Sequence, residues 1–436
     1  MTQKTKFQKI FSISVFVRIS LLLFLVGCRA PMSQASTEKM VSINIIDRNG
    51  MSETISSKDR IAAFQETDFL APQPYQKVLR VYGRDKGGNT HSVITSYHPN
   101  GQIKQSLEGV NNRAYGKYRE WFANGQQKIA CDVIGGIADI NSQAEQSWLF
   151  DGCNRAWDED GTLQAEIYYS KGSLEGSSYY YHNNGEVWKH LPYSKNSLHG
   201  TFTTYLDDGS IFQTIEYKNG LKEGPATRFW KGGQVAYEEN YVNNSLTSGS
   251  YFDLQGSLVA EIVDGNGFRA IFGKEQLTEL HEYTKGKQAG LVKIFDGYNR
   301  LIRSYSIIDG EKHGQEIDYY STRAGEPLQQ KLLITWNHGL LQGAVQSWYP
   351  NGNLESRKEM SHNKKNGILS AWYENGALML VEEYENDRLI KGQYYRMDDQ
   401  DPISHVKRGE GVATLFSPEG IFSKKVTYHD GKPLFE

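Results

Sequence analysis

A glycine that returns every two dozen residues is the feature that most limits what this chain can fold into. With Gly116, Gly152, Gly176, Gly200, Gly224, Gly249, Gly267, Gly290, Gly314, Gly343, Gly367, Gly392 and Gly411 as starts, and Ser92 as a degenerate first copy, six of the intervals are 24 residues. Most of the others differ from that by one to six. A fixed period of this length marks an array of stacked supersecondary units. Five positions after each start stands an aromatic residue: Tyr97, Trp121, Trp157, Tyr181, Tyr205, Phe229, Phe272, Phe295, Tyr319, Trp348, Trp372 or Phe416, with Leu254 and Met397 as interruptions.

Nine positions after the start a second glycine recurs, as in Gly101, Gly125, Gly185, Gly233, Gly352 and Gly376, usually preceded by Asn or Asp. Such pairs between β-forming runs predict a hairpin with a two-residue turn, because they tolerate positive φ. Eight positions further comes a tyrosine (Tyr169, Tyr193, Tyr217, Tyr241, Tyr384, Tyr428), followed three residues later by Gly, Asn or Asp, which predicts a second reversal. Two reversals per copy give an all-β fold, an elongated antiparallel meander with strands of about 5–6 residues. The 43 glycines and 27 tyrosines in 436 residues suit that reading. One hairpin cannot bury its aromatic face alone. Stacked copies build ladders of rings in which each cross-strand pair adds roughly 0.2–1 kcal/mol.

The first residues read as an address. Lys4, Lys6 and Lys9 precede an apolar run from Ile19 to Val26, and Leu25-Val26-Gly27-Cys28 ends it with a small residue before cysteine. This resembles the lipobox of bacterial lipoproteins, which implies that residues 1–27 are a signal peptide and that Cys28 is lipidated. The alternative is an uncleaved membrane anchor from Phe11 to Gly27, slightly short for a bilayer and carrying Arg18 near its middle. Arg29, not Asp, follows the cysteine, so the resemblance implies an outer-membrane location in the cell envelope. Residues 28–40, rich in Ser, Ala, Gln and Pro, read as a tether.

The unit G-x-x-x-x-[WYF]-x-x-N-G-x-[LIV] resembles the MORN repeat variant (membrane occupation and recognition nexus) of antitoxin-like bacterial proteins. Gly343 to Leu354 and Gly367 to Leu378 match it closely, and the likeness runs from Ser92 to Glu436 as about 14 hairpin copies. The shared residues are the ones that make the sheet, so the likeness speaks to fold rather than to function. The copy from Gly116 to Gly152 is half a repeat too long, an insertion at about 130–152 in which Ser142-Gln-Ala-Glu145 suggests a capping box. The copies at Gly249 to Gly267 and Gly392 to Gly411 are shortened, where the sheet is expected to bend or shift register. Residues 41–91 lie outside the pattern. They read as a small α+β cap with a strand at Val41 to Ile46, a turn at Asp47 to Gly50 and helical turns at Ser57 to Phe64.

Little points to catalysis. Cys131 and Cys153 flank the insertion and are either a disulfide, worth ~3 kcal/mol in the loop-entropy picture, or two separate thiols. Gly265-Asn-Gly267-Phe-Arg-Ala270 fits a loose dinucleotide fingerprint that needs a following helix, and Gly273 argues against one. The eleven histidines, among them His182, His199 and His313, have no metal-ligand spacing and read as solvated turn residues. The carboxylate pairs Asp207-Asp208, Glu238-Glu239 and Glu382-Glu383 read as solubilising. No catalytic residue, metal or cofactor is expected, and the chain is not read as an enzyme. A net charge of −3 speaks against nucleic acid as a partner. The expected role is a lipid-anchored protein-interaction scaffold with the column Trp121, Trp157, Tyr181, Tyr205, Phe229, Trp348 and Trp372 as structural or binding aromatics. The alternatives are an antitoxin or immunity protein that sequesters a toxin, and lipid or glycan binding by exposed rings.

Overall fold

The computed structural model describes residues 39–73, 76–321 and 327–434, so Cys28, the signal peptide and nearly all of the tether lie outside the described residues. What is described is almost wholly antiparallel strand, with two short helices, Lys58–Ala62 and Ser142–Glu145. No helix among the described residues is long and apolar enough to cross a membrane. The chain divides into two compact units. One runs to Ser210 and includes Lys218–Gly220; the other comprises Ile211–Tyr217 and Leu221 onward.

Each repeat is a hairpin built the same way. Leu221–Phe229 pairs with Val235–Val242 in the register Gly224↔Tyr241, Ala226↔Glu239 and Arg228↔Tyr237. The ladder then slips by one residue between Arg228 and Phe229. The same slip falls just before Tyr97, Trp121, Trp157, Tyr181, Trp348 and Trp372, so the column aromatic marks a β-bulge. The cause is the turn. Gly233 N–H donates to the Trp230 carbonyl and Trp230 N–H to the Gln234 carbonyl, with Gly232 at φ +119° and Gly233 at +87° on the hairpin side of the bulge.

That corrects the turn assignment made from the sequence. The Asn-Gly and Asp-Gly hairpins are longer turns ending in a left-handed glycine, in which Asn100, Asn124, Asn184, Asn351 and Asn375 are absent from the positive-φ residues. The two-residue turns with both residues at positive φ are the second reversals. They include Asn111-Asn112, Lys195-Asn196, Asn243-Asn244, His362-Asn363 and Asn386-Asp387. Asn and Asp carry this cost best among non-glycine residues, because their short polar side chains bond locally.

Those side chains also tie copy to copy. Asn244 donates its N–H to the Lys222 carbonyl while its Oδ1 accepts from Lys222 N–H, and Asn363 does the same with Leu341. At the opposite ends of the hairpins, Asn184 Nδ2 donates to the Asp207 carbonyl and Asn351 Nδ2 to the Glu374 carbonyl. Main-chain groups that would be orphaned at the turns are thereby satisfied by the neighbouring copy.

The N-terminal segment extends the sheet of the first unit. Lys39–Asp47 pairs with Ser52–Ile55 on one side and with Gln76–Arg84 on the other, and Gln76–Arg84 pairs with Thr90–Tyr97. Helix Lys58–Ala62 buries Ile61 against Ile43, Ile55, Leu79 and Tyr97, with Trp121 of the array packed on the same cluster. In the insertion the cap is one residue earlier than the sequence suggests. Asn141 Oδ1 accepts from Gln143 and Ala144 N–H, and Glu145 is turned inward to take a bond from Gln105. Trp148 fills the space beneath, its Nε1–H on the Ile137 carbonyl.

In the second unit the two shortened copies curl the sheet tightly. Gly265 N–H donates to the Thr247 carbonyl, Gly286 N–H to that of Gly265, and Leu246 N–H to that of Gly286, so three turns close a ring. Ile390, Gly409, Gly431 and Leu389 repeat it. The expected bend is present, and its cause is the short strands Leu258–Val263 and Ser404–Lys407, which draw each following turn back over its predecessors. The segment Gly265 to Ala270 is turn and strand within this ring, without the helix that a phosphate site would need.

Candidate interaction face and buried carboxylates

Residues directly opposite each other in adjacent strands share a face, so register alone assigns the two sides of the sheet. In the first unit one such row runs Arg155, Glu166, Tyr179, His190 and Thr203. The column residues Trp157, Tyr181 and Tyr205 stand two positions along the same strands and therefore on the same face. The other face carries small and aliphatic groups that are closed to solvent: Asn154, Ala156, Ala165, Ile167 and Ser178. The aromatic side is thus the outer one. Tyr168, two residues from Glu166 on the same strand, is its most open ring, at 37% exposure.

This outer face is organised around Glu166. Its carboxylate accepts from Arg155 Nε at 2.7 Å and from the Tyr181 hydroxyl at 2.7 Å. Desolvation opposes its charge, but the Arg155 and Tyr181 hydrogen bonds outweigh it and hold Glu166 below the usual carboxylate range. Tyr179 stacks on His190 with centroids 4.9 Å apart, His190 Nε2 lies 2.9 Å from Ser177 Oγ, and desolvation lowers the basicity of the imidazole. Lys189, opposite Tyr180 and Thr204, lies on the other side, with its Nζ 3.6 Å from the centre of the Trp188 ring at the register shift. Fixed rings with attached polar groups suit the recognition of a partner surface, since they offer large contact area at low conformational cost.

Cys131 and Cys153 are both free thiols. Ala130 is opposite Arg155, which puts Cys131 on the inner side among Leu107, Tyr118, Val133 and Trp148. Cys153, opposite Tyr168, is on the outer side with its sulfur 3.9 Å from Glu166 Oε1. A disulfide is not formed because the pleat directs the two side chains to opposite faces. Of the alternatives open in the sequence, the structure has two separate thiols.

The named column residues do not form one continuous binding strip. Trp121 is engaged by the N-terminal cluster, and Trp157, Tyr181 and Tyr205 belong to the outer face of the first unit. Phe229, Trp348 and Trp372 are half-buried in the second unit. The sequence reading overlooked a second column, one residue later, that does more of the tying. Tyr320, Tyr349 and Tyr373 donate their hydroxyls to the carbonyls of Trp348, Trp372 and Tyr395, and Trp230 donates Nε1–H to that of Phe252. His182 belongs to this column, its Nε2 3.1 Å from the Tyr205 carbonyl, so it is not a solvated turn residue. His313 packs edge-on against His338 with its Nδ1 buried. The signal for the second column was present in the sequence as a polar-tipped ring after each column aromatic.

Two of the carboxylate pairs also depart from expectation. Glu239 and Glu382 are buried, because each lies on the inner face opposite a glycine, Gly249 or Gly392. Glu239 accepts from the hydroxyls of Tyr241 at 2.7 Å and Tyr251 at 2.8 Å, and pairs with Arg269. Burial first, and the charge of Glu239 second, push the Tyr251 hydroxyl far above the ordinary phenol range. The tyrosine ring fits because the glycine has no Cβ; one built on Gly249 would lie 2.6 Å from the Tyr251 hydroxyl. Among the described residues no group of His, Cys, Asp or Glu is placed to hold a metal ion.

Residues 198–219, 222–243 and 341–361 match the family described as MORN repeat variant. No curated protein matches the chain. Among solved structures, the chain is similar to a chain of the Photorhabdus luminescens Tc holotoxin pore at 11% identity and a TM-score of 0.13. That likeness covers 86% of this chain and 25% of the toxin chain, so this protein spans about a quarter of its length. A porin-like protein from Bacteroides uniformis is similar at 11% identity and a TM-score of 0.14, over 60% of this chain and 96% of that one.

Proposed function

We propose that this chain is an interaction scaffold of the bacterial cell envelope, held to a membrane through lipid on Cys28, that binds a protein partner with the outer face of its first unit. The MORN repeats and the repeat sheet fit such a scaffold. The observation that carries the reading is the division of labour between the two sides of the sheet. The inner side is largely consumed by packing, whereas the outer side from Arg155 to Tyr205 presents Tyr168, Tyr179 and His190 around a fixed Arg155–Glu166 pair. Aromatic anchors with arginine are the residue types that dominate binding energy at protein interfaces. No step of chemistry is assigned to it, and we do not infer an enzyme.

The test is affinity capture from membranes with the lipidated protein and with a variant carrying Tyr168→Ser, Tyr179→Ser and His190→Ser. A partner held by the first and lost by the second is the expected result. Capture that is indifferent to the three substitutions overturns the assignment of the face. Recovery of a toxin would select the antitoxin reading, and binding to purified glycan or lipid vesicles by a Cys28→Ser form would replace the protein partner. Metabolic labelling with a fatty acid, present in the parent and absent from Cys28→Ser, tests the anchor.

A further inference from the structure

The second unit contains one constellation twice, and the second version lacks a member. In the first version Glu239, opposite Gly249, accepts two tyrosine hydroxyls, and Arg269, two residues after Gly267, completes the site with Nε 2.6 Å and Nη2 3.1 Å from the two carboxylate oxygens. In the second, Glu382 is opposite Gly392 and accepts from Tyr384 at 3.0 Å and Tyr394 at 2.8 Å. The turn ring that encloses it is the same. Two residues after Gly411, where the first version has arginine, stands Ala413.

Among the described residues no other cation takes the place of that arginine. Lys365 Nζ lies 4.4 Å from the centre of the Tyr384 ring, but Lys222 lies equally over Tyr241 at 4.6 Å in the version that already has its guanidinium. Among the described residues Glu382 forms no ion pair, although it is only 7% exposed. Glu316, buried to a similar degree, is met by Lys312 at 2.7 Å. A carboxylate withdrawn from water ordinarily needs a cation as well as hydrogen bonds.

We propose that Glu382, with Tyr384 and Tyr394, is a seat for a guanidinium or alkylammonium group brought from outside the chain, and that an arginine side chain fits it best. The two tyrosine hydroxyls fix the carboxylate plane, and the first version demonstrates that this plane accepts a guanidinium by two bonds, the geometry in which arginine surpasses lysine. Val426, opposite Ala413 in the register, and Tyr428, both half-buried and packed on the same cluster, are side chains that a guest would move. The inference is independent of the outer face described above, which belongs to the other unit.

The experiment is calorimetric titration of the full chain with ethylguanidinium, with tetramethylammonium at the same ionic strength as control. A peptide Gly-Arg-Gly blocked at both ends forms a further arm that separates a free cation from an arginine in a polypeptide. Saturable binding of ethylguanidinium but not tetramethylammonium is expected, weakened at least about tenfold in Glu382→Gln. It should vanish in Ala413→Arg, where the chain fills its own seat and melts at higher temperature. Absence of saturable binding to the parent, or unchanged binding in Glu382→Gln, overturns the proposal. Should Ala413→Arg fail to fold, the comparison between the parent and Glu382→Gln still decides.

Discussion

Arg269 and Glu239 meet as a two-point ion pair across the curled inner face of the second unit, thirty residues apart in the chain, with the carboxylate also accepting both Tyr241 and Tyr251. This is a buried charge whose compensation comes from one side chain. Removing that partner leaves the carboxylate stranded. Arg269→Ala is therefore expected to destabilise the protein by about 3–5 kcal/mol. The loss is to be read from urea unfolding. Adding Glu239→Gln to that variant should return part of it, because the amide keeps an acceptor for the tyrosines without the charge.

The turn rings single out their glycines. Gly409 has φ of +80° and a Cβ there would lie 2.6 Å from Gly431 N, whereas Gly233, at +87°, has nothing within 4 Å of the same point. Gly233→Ala should cost about 1–2 kcal/mol for the backbone conformation alone. Gly409→Ala should cost clearly more, because the ring must also open. Thermal unfolding of the two variants side by side checks the ordering.

The two thiols should differ in reactivity. Burial above all pushes Cys131 far above the usual thiol range, and Cys153 is partly exposed on the outer face. A maleimide added to the native protein is expected to modify Cys153 and to reach Cys131 only after denaturation, as followed by peptide mass spectrometry. Recovery of a peptide bridged between the two would contradict the free thiols.

Acid should loosen the hairpin at Asp85 before it reaches the core. His91 first, and Asn89 second, hold the Asp85 carboxyl down at about 2, below its ordinary 3.8. A depressed carboxyl stabilises the fold above its unfolded pKa, and that contribution fades as pH falls through the folded value. The protection of the Asn89 amide, whose N–H donates to Asp85 Oδ1, taken relative to the intrinsic exchange rate at each pH, is thus expected to fall between about pH 4 and pH 2. A protection that is flat across this window would mean that the carboxylate does not organise the turn.

The periodic part of this architecture was legible from residue types alone, because glycine and asparagine are the residues that tolerate the backbone at each reversal. Turn type was assigned to the wrong reversal. Asn-Gly is compatible with both forms, and only the bulge before residues such as Phe229 reveals which one the strands adopt. The cap at Asn141 was misplaced by one residue because Ser142 and Glu145 fit the capping-box pattern, yet Glu145 is recruited by Gln105 forty residues away. Glu239 and Glu382 looked like solvated pairs with their neighbours. Their burial comes from a curl that brings together strands several places apart, and a 24-residue period says nothing about that. What could have signalled it was shared by both sites: a glutamate, two tyrosines and a shortened copy.

The asparagine links between regular copies join each loop to its immediate predecessor only, as Asn363 does with Leu341. A whole additional copy inserted there would find the same partners waiting on either side, and the run of regular hairpins can change in number without new bonding rules. A ring of three turns has no such freedom. Where Leu389, Gly409 and Gly431 close upon one another, the count is fixed by geometry, so lineages of this protein should vary in length between the rings and hold constant within them.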